Sequence, residues 1–444
     1  MKKFLTIISF VLIGIMGYYT AFGADKIKEK LKIYVNKEVQ VLQANGFAIE
    51  DRNITDESES FVINYQDPVK ISKYLKTKNI EITQEESAEF KGMRIATKIK
   101  YLDGIYSALS ADIYPVTFSE ELMQSANDKE HAILKKLLDE KTLLMHIDIN
   151  KLFSSFKGYF KDINTTIQSD DPLHILSKNF LFSGDLEEQK IVSSRNSIEK
   201  ILMETKSGSR LLLEKFSGNY KQKKQNAYNY SSGYTIDNIL YSDADKIGTH
   251  LEKISVNSFG KEKEANKKSL FTKLLLHINN ANVTEPKGEH LFENIDLNLS
   301  VDNINIAAIE KISNLDENDT KGYNQAYQML FASSPLFKVE EFSIKRVKEP
   351  SQQEMVDGFT SNATLTVEKT FDPKMIEQNP FALLSMVGID AHIKLSQKLY
   401  ILLQRRPELT LMTLMFQPRH KQKSVIFDVS YKNGSLKING KPLL

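Results

Sequence analysis

The sequence predicts an α+β protein in which a single N-terminal membrane helix precedes long, twisted antiparallel β-sheets with helices packed on one face. Two observations lead to this prediction. Residues 4–22 contain no formal charge and follow the basic start Met1-Lys2-Lys3. Several later segments alternate apolar and polar residues with a period of two, which is typical of antiparallel sheets with one covered and one solvated face.

The uncharged N-terminal segment has two interpretations. As a helix, residues 4–22 would extend about 28 Å, close to the thickness of a hydrocarbon core. Tyr18 and Tyr19 would then lie at the membrane interface. The competing interpretation is a cleavable signal peptide, because Ala21-Phe22-Gly23 has small residues at the right spacing for cleavage before Ala24. The anchor is preferred, since the apolar run is longer than the usual ~7–15 residues.

Composition limits the function classes. The chain carries 59 Lys and Arg against 57 Asp and Glu, a net charge of +2. This balance of charges does not indicate a nucleic-acid-binding surface, which needs clustered basic residues on one face. The absence of cysteine from the sequence excludes disulfides, thiolate metal sites and a cysteine nucleophile.

The chain beyond residue 23 divides by pattern into a helix and two lobes. Apolar residues from Ile27 to Leu42 recur at helical spacing and predict a stalk helix over residues 24–46, which Asn45-Gly46 ends. The two lobes are expected at residues 47–183 and 184–444. The second lobe is predicted to be richer in strands than the first.

One local pattern recurs: an alternating strand runs into a short amphipathic helix. The predicted strands cover residues 145–150, 295–302, 363–367 and 389–395. The helices that follow them are predicted over residues 152–160, 307–312, 373–387 and 399–403. A further helix is expected over residues 125–141, where apolar residues fall on one face.

The C-terminal segment predicts a β-hairpin. Val425, Phe427 and Val429 alternate with polar residues, and the strand returns after Asn433-Gly434. An Asn-Gly pair favours the two-residue turn because both residues tolerate a positive φ.

The same C-terminal residues carry a family resemblance. Residues 425–443, VIFDVSYKNGSLKINGKPL, are similar to the C-terminal signature of the YdgA-like family of bacterial proteins. Further similarity lies in residues 294–299 with 303–305, in residues 335–339 with 342–344, and in Gly17-Tyr18-Tyr19-Thr20. The resemblance implies a bacterial inner-membrane protein with one span at residues 4–22 and its two lobes in the periplasm. It brings no catalytic residues, because that family has no assigned biochemical function.

Histidine and aspartate residues offer one candidate metal-binding pattern in the sequence. His146 and Asp148 share a strand face, and together with His250 and His290 they contain enough ligands for zinc. The preferred interpretation is a solvated sheet face, because no His-Glu-x-x-His spacing is present. The sequence also has no Gly-x-Ser-x-Gly elbow and no glycine-rich phosphate loop. We therefore predict that the protein is not an enzyme and uses no metal or cofactor.

The predicted function is that of a membrane-anchored periplasmic envelope protein acting as a non-catalytic structural or binding module. Two alternatives stay open: a lipid-binding or lipid-transfer carrier with an apolar groove, and a hydrolase assembled from distant residues. The candidate apolar contact surface comprises Leu384, Met386, Leu411 and Leu414. The competing interpretation is that these side chains close the core over the sheet. Expected partners are the inner membrane through residues 4–22 and a lipid or an envelope protein. Nucleic acid is not expected, and the oligomeric state stays open with a homodimer as one alternative.

Overall fold

The protein is mostly antiparallel β-sheet, with 60% strand and 20% helix. The computed structural model describes residues 27–77, 82–102, 106–125, 128–168, 170–187, 190–223, 226–263, 266–315, 319–350, 352–369, 386–405 and 417–442. The contacts divide the chain into two compact units, residues 1–219 and 220–444. The lobes expected at residues 47–183 and 184–444 stay a prediction.

The predicted fold class is wrong. The expected balance of sheets and covering helices is replaced by a predominance of strands. Several of the strands are long, and one, Asn266–Glu285, has 20 residues. Within the described ranges, no helix is both long enough and apolar enough to cross a membrane. The same finding corrects the predicted localisation as a single-pass inner-membrane protein. Residues 4–22, on which both predictions rested, lie outside the described residues.

The described part of the first unit begins with a helix and continues with strands. Its helices are α1 (Ile27–Ala44), α2 (Pro68–Thr77), α3 (Gln84–Ala88), α4 (Glu120–Ser125) and α5 (Asp128–Asp139). Its strands are β1 (Phe47–Ile54), β2 (Ser58–Tyr65), β3 (Arg94–Tyr101), β4 (Ser107–Thr117), β5 (Met145–Asn150), β6 (Ser155–Phe160), β7 (Ile163–Ile167), β8 (Leu173–Lys178), β9 (Phe180–Glu187) and β10 (Lys190–Thr205). Strand β11 (Arg210–Lys223) crosses the boundary between the units.

The strands of the first unit form an antiparallel meander over a closed core. Consecutive pairing links β1 through β6, and β6 then pairs with β9, which pairs with β10. Helix α1 buries Leu31, Val35 and Val39, which recur every four residues and so share one face. The predicted alternation of β5 is confirmed, since Met145, Ile147 and Ile149 are fully buried.

The helix predicted over residues 152–160 is instead a turn followed by β6. The Asn150 side-chain oxygen accepts hydrogen bonds from the backbone N–H groups of Ser154, at 2.9 Å, and Ser155, at 3.2 Å. Phe153 has a φ of 52°, so the chain reverses there and β6 pairs back onto β5. The apolar residues at helical spacing are therefore divided between a turn and a strand.

The second unit is a longer meander. Its strands are β12 (Asn226–Ser242), β13 (Gly248–Lys263), β14 (Asn266–Glu285), β15 (Gly288–Asn305), β16 (Leu336–Lys348), β17 (Val356–Val367), β18 (Val387–Ser396), β19 (Arg419–Lys421), β20 (Ser424–Lys432), β21 (Ser435–Ile438) and β22 (Lys441–Pro442). Its helices are α6 (Ile306–Ser313), α7 (Thr320–Ala332) and α8 (Gln397–Gln404). Each strand from β12 to β18 pairs antiparallel with the next, and β18 pairs with β20.

Several local predictions for this unit are confirmed. Asn433 and Gly434 have φ values of 52° and 75° and form the turn between β20 and β21. Helix α6 follows β15 directly, and the Asn305 side chain caps it by accepting from the N–H of Ala308. Helix α8 follows β18 and is capped by Ser396. The helix predicted over residues 373–387 lies almost entirely outside the described residues.

Candidate functional site

Apolar side chains cross the sheet of the second unit in rows perpendicular to the strands. Residues paired on neighbouring antiparallel strands share a face, so each row can be traced through the register. The row that we call the central rung consists of Ile236, Ile254, Ile278, Ile295, Ile344, Phe359, Leu395 and Val425. A second row, the outer rung, consists of Ile239, Leu251, Ala281, Phe292, Val347 and Val356.

The two rungs lie three residues apart along each strand, and a crease runs between them. Residues three apart on a regular strand point to opposite faces. Between the rungs, however, Lys253 of β13 and Asn294 of β15 each have a φ of 50°, in the left-handed region. On β17 the corresponding position is Gly358, where an added Cβ would lie 1.9 Å from the Ile344 carbonyl oxygen. We define Lys253, Asn294 and Gly358 as the crease.

Across the crease, the sheet and α8 border an open pocket of about 510 Å³. Side chains of both rungs line it, which places the two rungs on one face. Its apolar walls are Val283, Phe292, Ile344, Val347, Phe359, Ile393, Leu395, Leu399 and Leu403. Leu395 and Leu399 are buried beside Val356, whereas Phe359, Ile393 and Leu403 are half-buried around them. The pocket therefore has an apolar floor that neighbouring side chains cover only in part.

One end of the pocket is polar. His290 is 16% exposed and lies between two carboxylates. Its Nε2 is 3.6 Å from the Glu285 Oε2, and its Nδ1 is 3.3 Å from the Glu349 Oε2. The backbone N–H of Glu349 donates to the side chain of Gln352 at 3.0 Å, which fixes the chain just after β16. The pocket is thus amphipathic, with three titratable side chains at one end.

The structure describes only part of the candidate contact surface predicted from the sequence. Met386 is 8% exposed, so it is a buried residue. Leu384, Leu411 and Leu414 lie outside the described residues, and their role stays a prediction. Sequence reasoning missed the pocket itself. The alternation of β18 and the apolar face of α8 were usable signals in the sequence. Neither signal indicates which other strands line the pocket together with β18 and α8.

His146 lies in the first unit within a cluster that resembles a catalytic triad. Its Nδ1 is 2.7 Å from the Asp112 Oδ1, and its Nε2 is 3.4 Å from the Ser110 Oγ. The Tyr159 ring stacks on the imidazole at 4.9 Å. Asp148, however, also lies 3.4 Å from Nε2 and competes with the serine for that nitrogen.

The surroundings of Ser110 also argue against nucleophilic catalysis. Ser110 lies within β4, which pairs on both sides with β3 and β5. Backbone N–H groups in this ladder are committed to neighbouring strands, whereas an oxyanion hole needs donors aimed at the reacting carbonyl. The cluster is better explained as a network of ion pairs and hydrogen bonds on a sheet face.

Each of the histidines considered as zinc ligands is described within its own unit. His146 and Asp148 belong to the first unit, and His250 and His290 belong to the second. His250 lies 3.7 Å from Glu252 on its own strand. Among the residues that the structure describes, no group of three His, Cys, Asp or Glu side chains could hold a metal ion.

Comparisons with protein-family models, curated proteins and solved structures give no match to this chain. The similarity to the YdgA-like family therefore stays a resemblance. The fold and the pocket define the class of protein: an antiparallel β-sheet protein with an amphipathic pocket in its second unit.

Proposed function

We propose that the protein is a non-catalytic binding module whose second unit takes up the apolar tail of an amphipathic lipid. The pocket of about 510 Å³ carries this proposal, because its walls are apolar and its polar groups are gathered at one end. Small-molecule sites typically have volumes of ~300–1,000 Å³ and a few polar groups that fix orientation. An amphiphile would place its tail across both rungs and its head group beside His290.

The dimensions suit a single extended tail. From Glu349, just after β16, the path past Val347 to Ile344 covers five residue spacings, or about 16 Å at ~3.3 Å per residue. Burying each methylene group contributes about 0.8 kcal/mol. About eight buried methylene groups would thus contribute roughly 6 kcal/mol before the costs of association are subtracted.

The contrast between the two units supports a binding role for the second. The core of the first unit includes fully buried side chains from α1 and from strands β3, β4 and β5. Around the pocket, Phe292, Ile344 and Phe359 are only half-buried. Because apolar surface left in water is unfavourable, a ligand that covers these side chains would lower the free energy of the folded unit.

The absence of tryptophan from the sequence allows a direct test. Phe359→Trp introduces one indole into the pocket of the full chain. We expect a lipid with a nitroxide on its tail to quench this fluorescence saturably, with one lipid per chain. Phe271→Trp, in β14 outside the pocket lining, is the matched control. Equal, non-saturable quenching of both tryptophans would contradict the proposal.

A pair of charge substitutions distinguishes the pocket from the rest of the sheet. Ile344 and Ile278 both belong to the central rung, but only Ile344 lines the pocket. In the Phe359→Trp protein, we expect Ile344→Glu to weaken lipid binding at least about tenfold, which corresponds to ~1.4 kcal/mol. Ile278→Glu should weaken it much less. Far-UV circular dichroism checks that both variants fold.

A further inference from the structure

We infer that Asn433 is a site of spontaneous deamidation in the folded protein, a modification that does not depend on the proposed lipid binding. The sequence contains three Asn-Gly pairs, at residues 45–46, 433–434 and 439–440. Glycine has no side chain to obstruct attack on the preceding residue, so all three pairs have the reactive sequence. The structure distinguishes the three asparagines by the contacts of their side chains.

The reaction requires water as its only co-reactant. The backbone nitrogen of Gly434 attacks the side-chain carbonyl carbon of Asn433, and a C–N bond forms. The side-chain nitrogen leaves as ammonia, taking the proton that the backbone nitrogen loses. The resulting cyclic succinimide then adds one water molecule. Hydrolysis at one of its carbonyl groups gives aspartate, and hydrolysis at the other gives isoaspartate, in which the main chain passes through the former side-chain carbonyl.

Hydrogen bonds hold the other two asparagine side chains in place. Asn439 donates from Nδ2 to the Gln417 carbonyl oxygen at 2.8 Å, and its Oδ1 accepts from the backbone N–H of Asp428 at 2.9 Å. Asn45 donates from Nδ2 to the Val41 carbonyl oxygen at 2.7 Å. Because closing the succinimide ring would break these bonds, the fold slows the reaction at both residues.

Asn433 lies at the exposed tip of the hairpin between β20 and β21. A Cβ added at Gly434 would meet no described heavy atom within 4 Å, so the attacking nitrogen is in open surroundings. The pairing of β20 with β18 ends at Tyr431, whereas the hairpin continues to the pair Lys432 and Ser435. The tip therefore opens locally without disturbing the pairing with β18, and water reaches the reacting groups.

Isoaspartate at position 433 would change the hairpin as well as its charge. The two-residue turn sets the register of β20 and β21, and isoaspartate adds one methylene group to the main chain of that turn. Strand β21 has only four residues, Ser435–Ile438, to maintain its pairing. We therefore expect amide hydrogen exchange in β21 to become faster after conversion.

Ageing of the full-length protein at mildly alkaline pH tests the inference. Digestion at mildly acidic pH with a protease that cleaves after lysine separates Asn433 from Asn439, because Lys437 lies between them. Mass spectrometry then follows the replacement of the amide by an acid in each peptide. We expect Asn433 to convert at least about ten times faster than Asn45 and Asn439. No conversion at Asn433, or an equal rate at either of the other two, would overturn the inference.

The same protein unfolded in concentrated urea is the matched control for the effect of local sequence. Unfolding removes the hydrogen bonds of Asn45 and Asn439, so we expect the three rates to approach one another. If the order of rates seen in the folded protein persists in urea, the fold does not set it and the inference fails.

Freshly purified Asn433→Asp separates the two effects on the hairpin, because it carries the new charge without the added methylene group. We expect wild-type hydrogen exchange of β21 in this variant and faster exchange in the aged wild-type protein. Equal exchange of β21 in the aged and the fresh wild-type protein would overturn the expected effect on the hairpin.

Discussion

Ile344 and Val347 lie three residues apart on β16, yet both side chains line the same pocket. A regular strand would direct them to opposite faces. On the neighbouring strand β15, Asn294 adopts a φ of 50° between the residues that pair with Arg346 and Ile344. The irregular backbone at Asn294 thus lies beside the strand segment on which residues of the outer and central rungs line one pocket.

The first prediction concerns the crease. Asn294→Val should lower the free energy of unfolding by about 1–3 kcal/mol, because a β-branched residue is strained at positive φ. Asn294→Gly should be tolerated, since glycine adopts this conformation without steric cost. Urea unfolding followed by circular dichroism measures both effects. We also expect the valine variant to bind the labelled lipid more weakly.

Asn257→Val is the control for this substitution. Asn257 is an exposed residue of β13, and its φ is not positive. Valine is favoured in strands, so we expect a change within about 0.5 kcal/mol. Equal destabilisation by the two valine substitutions would show that strain at the crease is not the cause.

The second prediction concerns a buried ion pair in the first unit. Glu59 is 1% exposed and accepts hydrogen bonds from the Arg52 Nε at 2.7 Å and the Tyr101 hydroxyl at 3.0 Å. Arg52→Met would leave a buried carboxylate without its cation and should destabilise the protein by about 3–5 kcal/mol. Chemical unfolding measures the loss.

The double variant tests the reason for that loss. Arg52→Met combined with Glu59→Leu removes both charges from the site. Because an apolar pair can replace a buried ion pair with little cost, we expect the double variant to recover most of the stability lost in Arg52→Met. A double variant less stable than the single one would contradict this account.

The third prediction concerns alkaline pH. Burial raises the pKa of Tyr65 from 10.0 to about 12, although the hydrogen bond with Ser87 opposes the shift. The unfolded chain therefore loses the Tyr65 proton first. The contribution of Tyr65 to the free energy of unfolding is complete below pH 10 and is lost as the pH rises through about 12. This contribution amounts to about 2–3 kcal/mol.

Tyr65→Phe should make the free energy of unfolding fall less steeply over this pH range. At neutral pH the same variant should cost about 1 kcal/mol, because it loses the hydrogen bond to Ser87. Tyr106→Phe is the control, since that ring is 85% exposed. Urea unfolding at a series of pH values gives the slopes. Equal slopes for Tyr65→Phe and the wild type would exclude this role for Tyr65.

The fourth prediction concerns catalysis. The wild-type protein and Ser110→Ala should hydrolyse a short-chain aryl ester at the same rate as buffer. Asp148 occupies the nitrogen that a nucleophilic serine would need, and the amides near Ser110 belong to the sheet ladder. Saturable turnover that disappears in Ser110→Ala would establish a hydrolase and refute the non-catalytic proposal.

Several elements could be predicted from the sequence because their signals are local. Helix α1 follows from apolar residues that recur every three or four positions up to Asn45-Gly46. The turn at Asn433 and Gly434 follows from two residues that tolerate positive φ. Similarly, α6 begins where Asn305 can cap it. In each case the residues that decide the structure are sequence neighbours.

Local periodicity led to a wrong prediction of a helix at a point where the chain reverses. Apolar residues of the 152–160 segment fit a helix, but Asn150 binds the amides of Ser154 and Ser155 and closes a tight turn instead. Pairing of β6 with both β5 and β9 then stabilises the strand. Tertiary contacts routinely outweigh a short apolar pattern of this kind.

The sequence by itself determined the alternation of the strands, the turn at Asn433 and Gly434, and helix α1. Only the tertiary structure decided which apolar residues share a rung, because that depends on the register of strands far apart in the chain. The tertiary structure also determined the crease. Lys253 and Asn294 adopt positive φ there although neither is a glycine, so the sequence does not indicate this conformation. The pocket lies where the register places side chains of three strands together, bringing Phe292 of β15, Phe359 of β17 and Leu395 of β18 to one site.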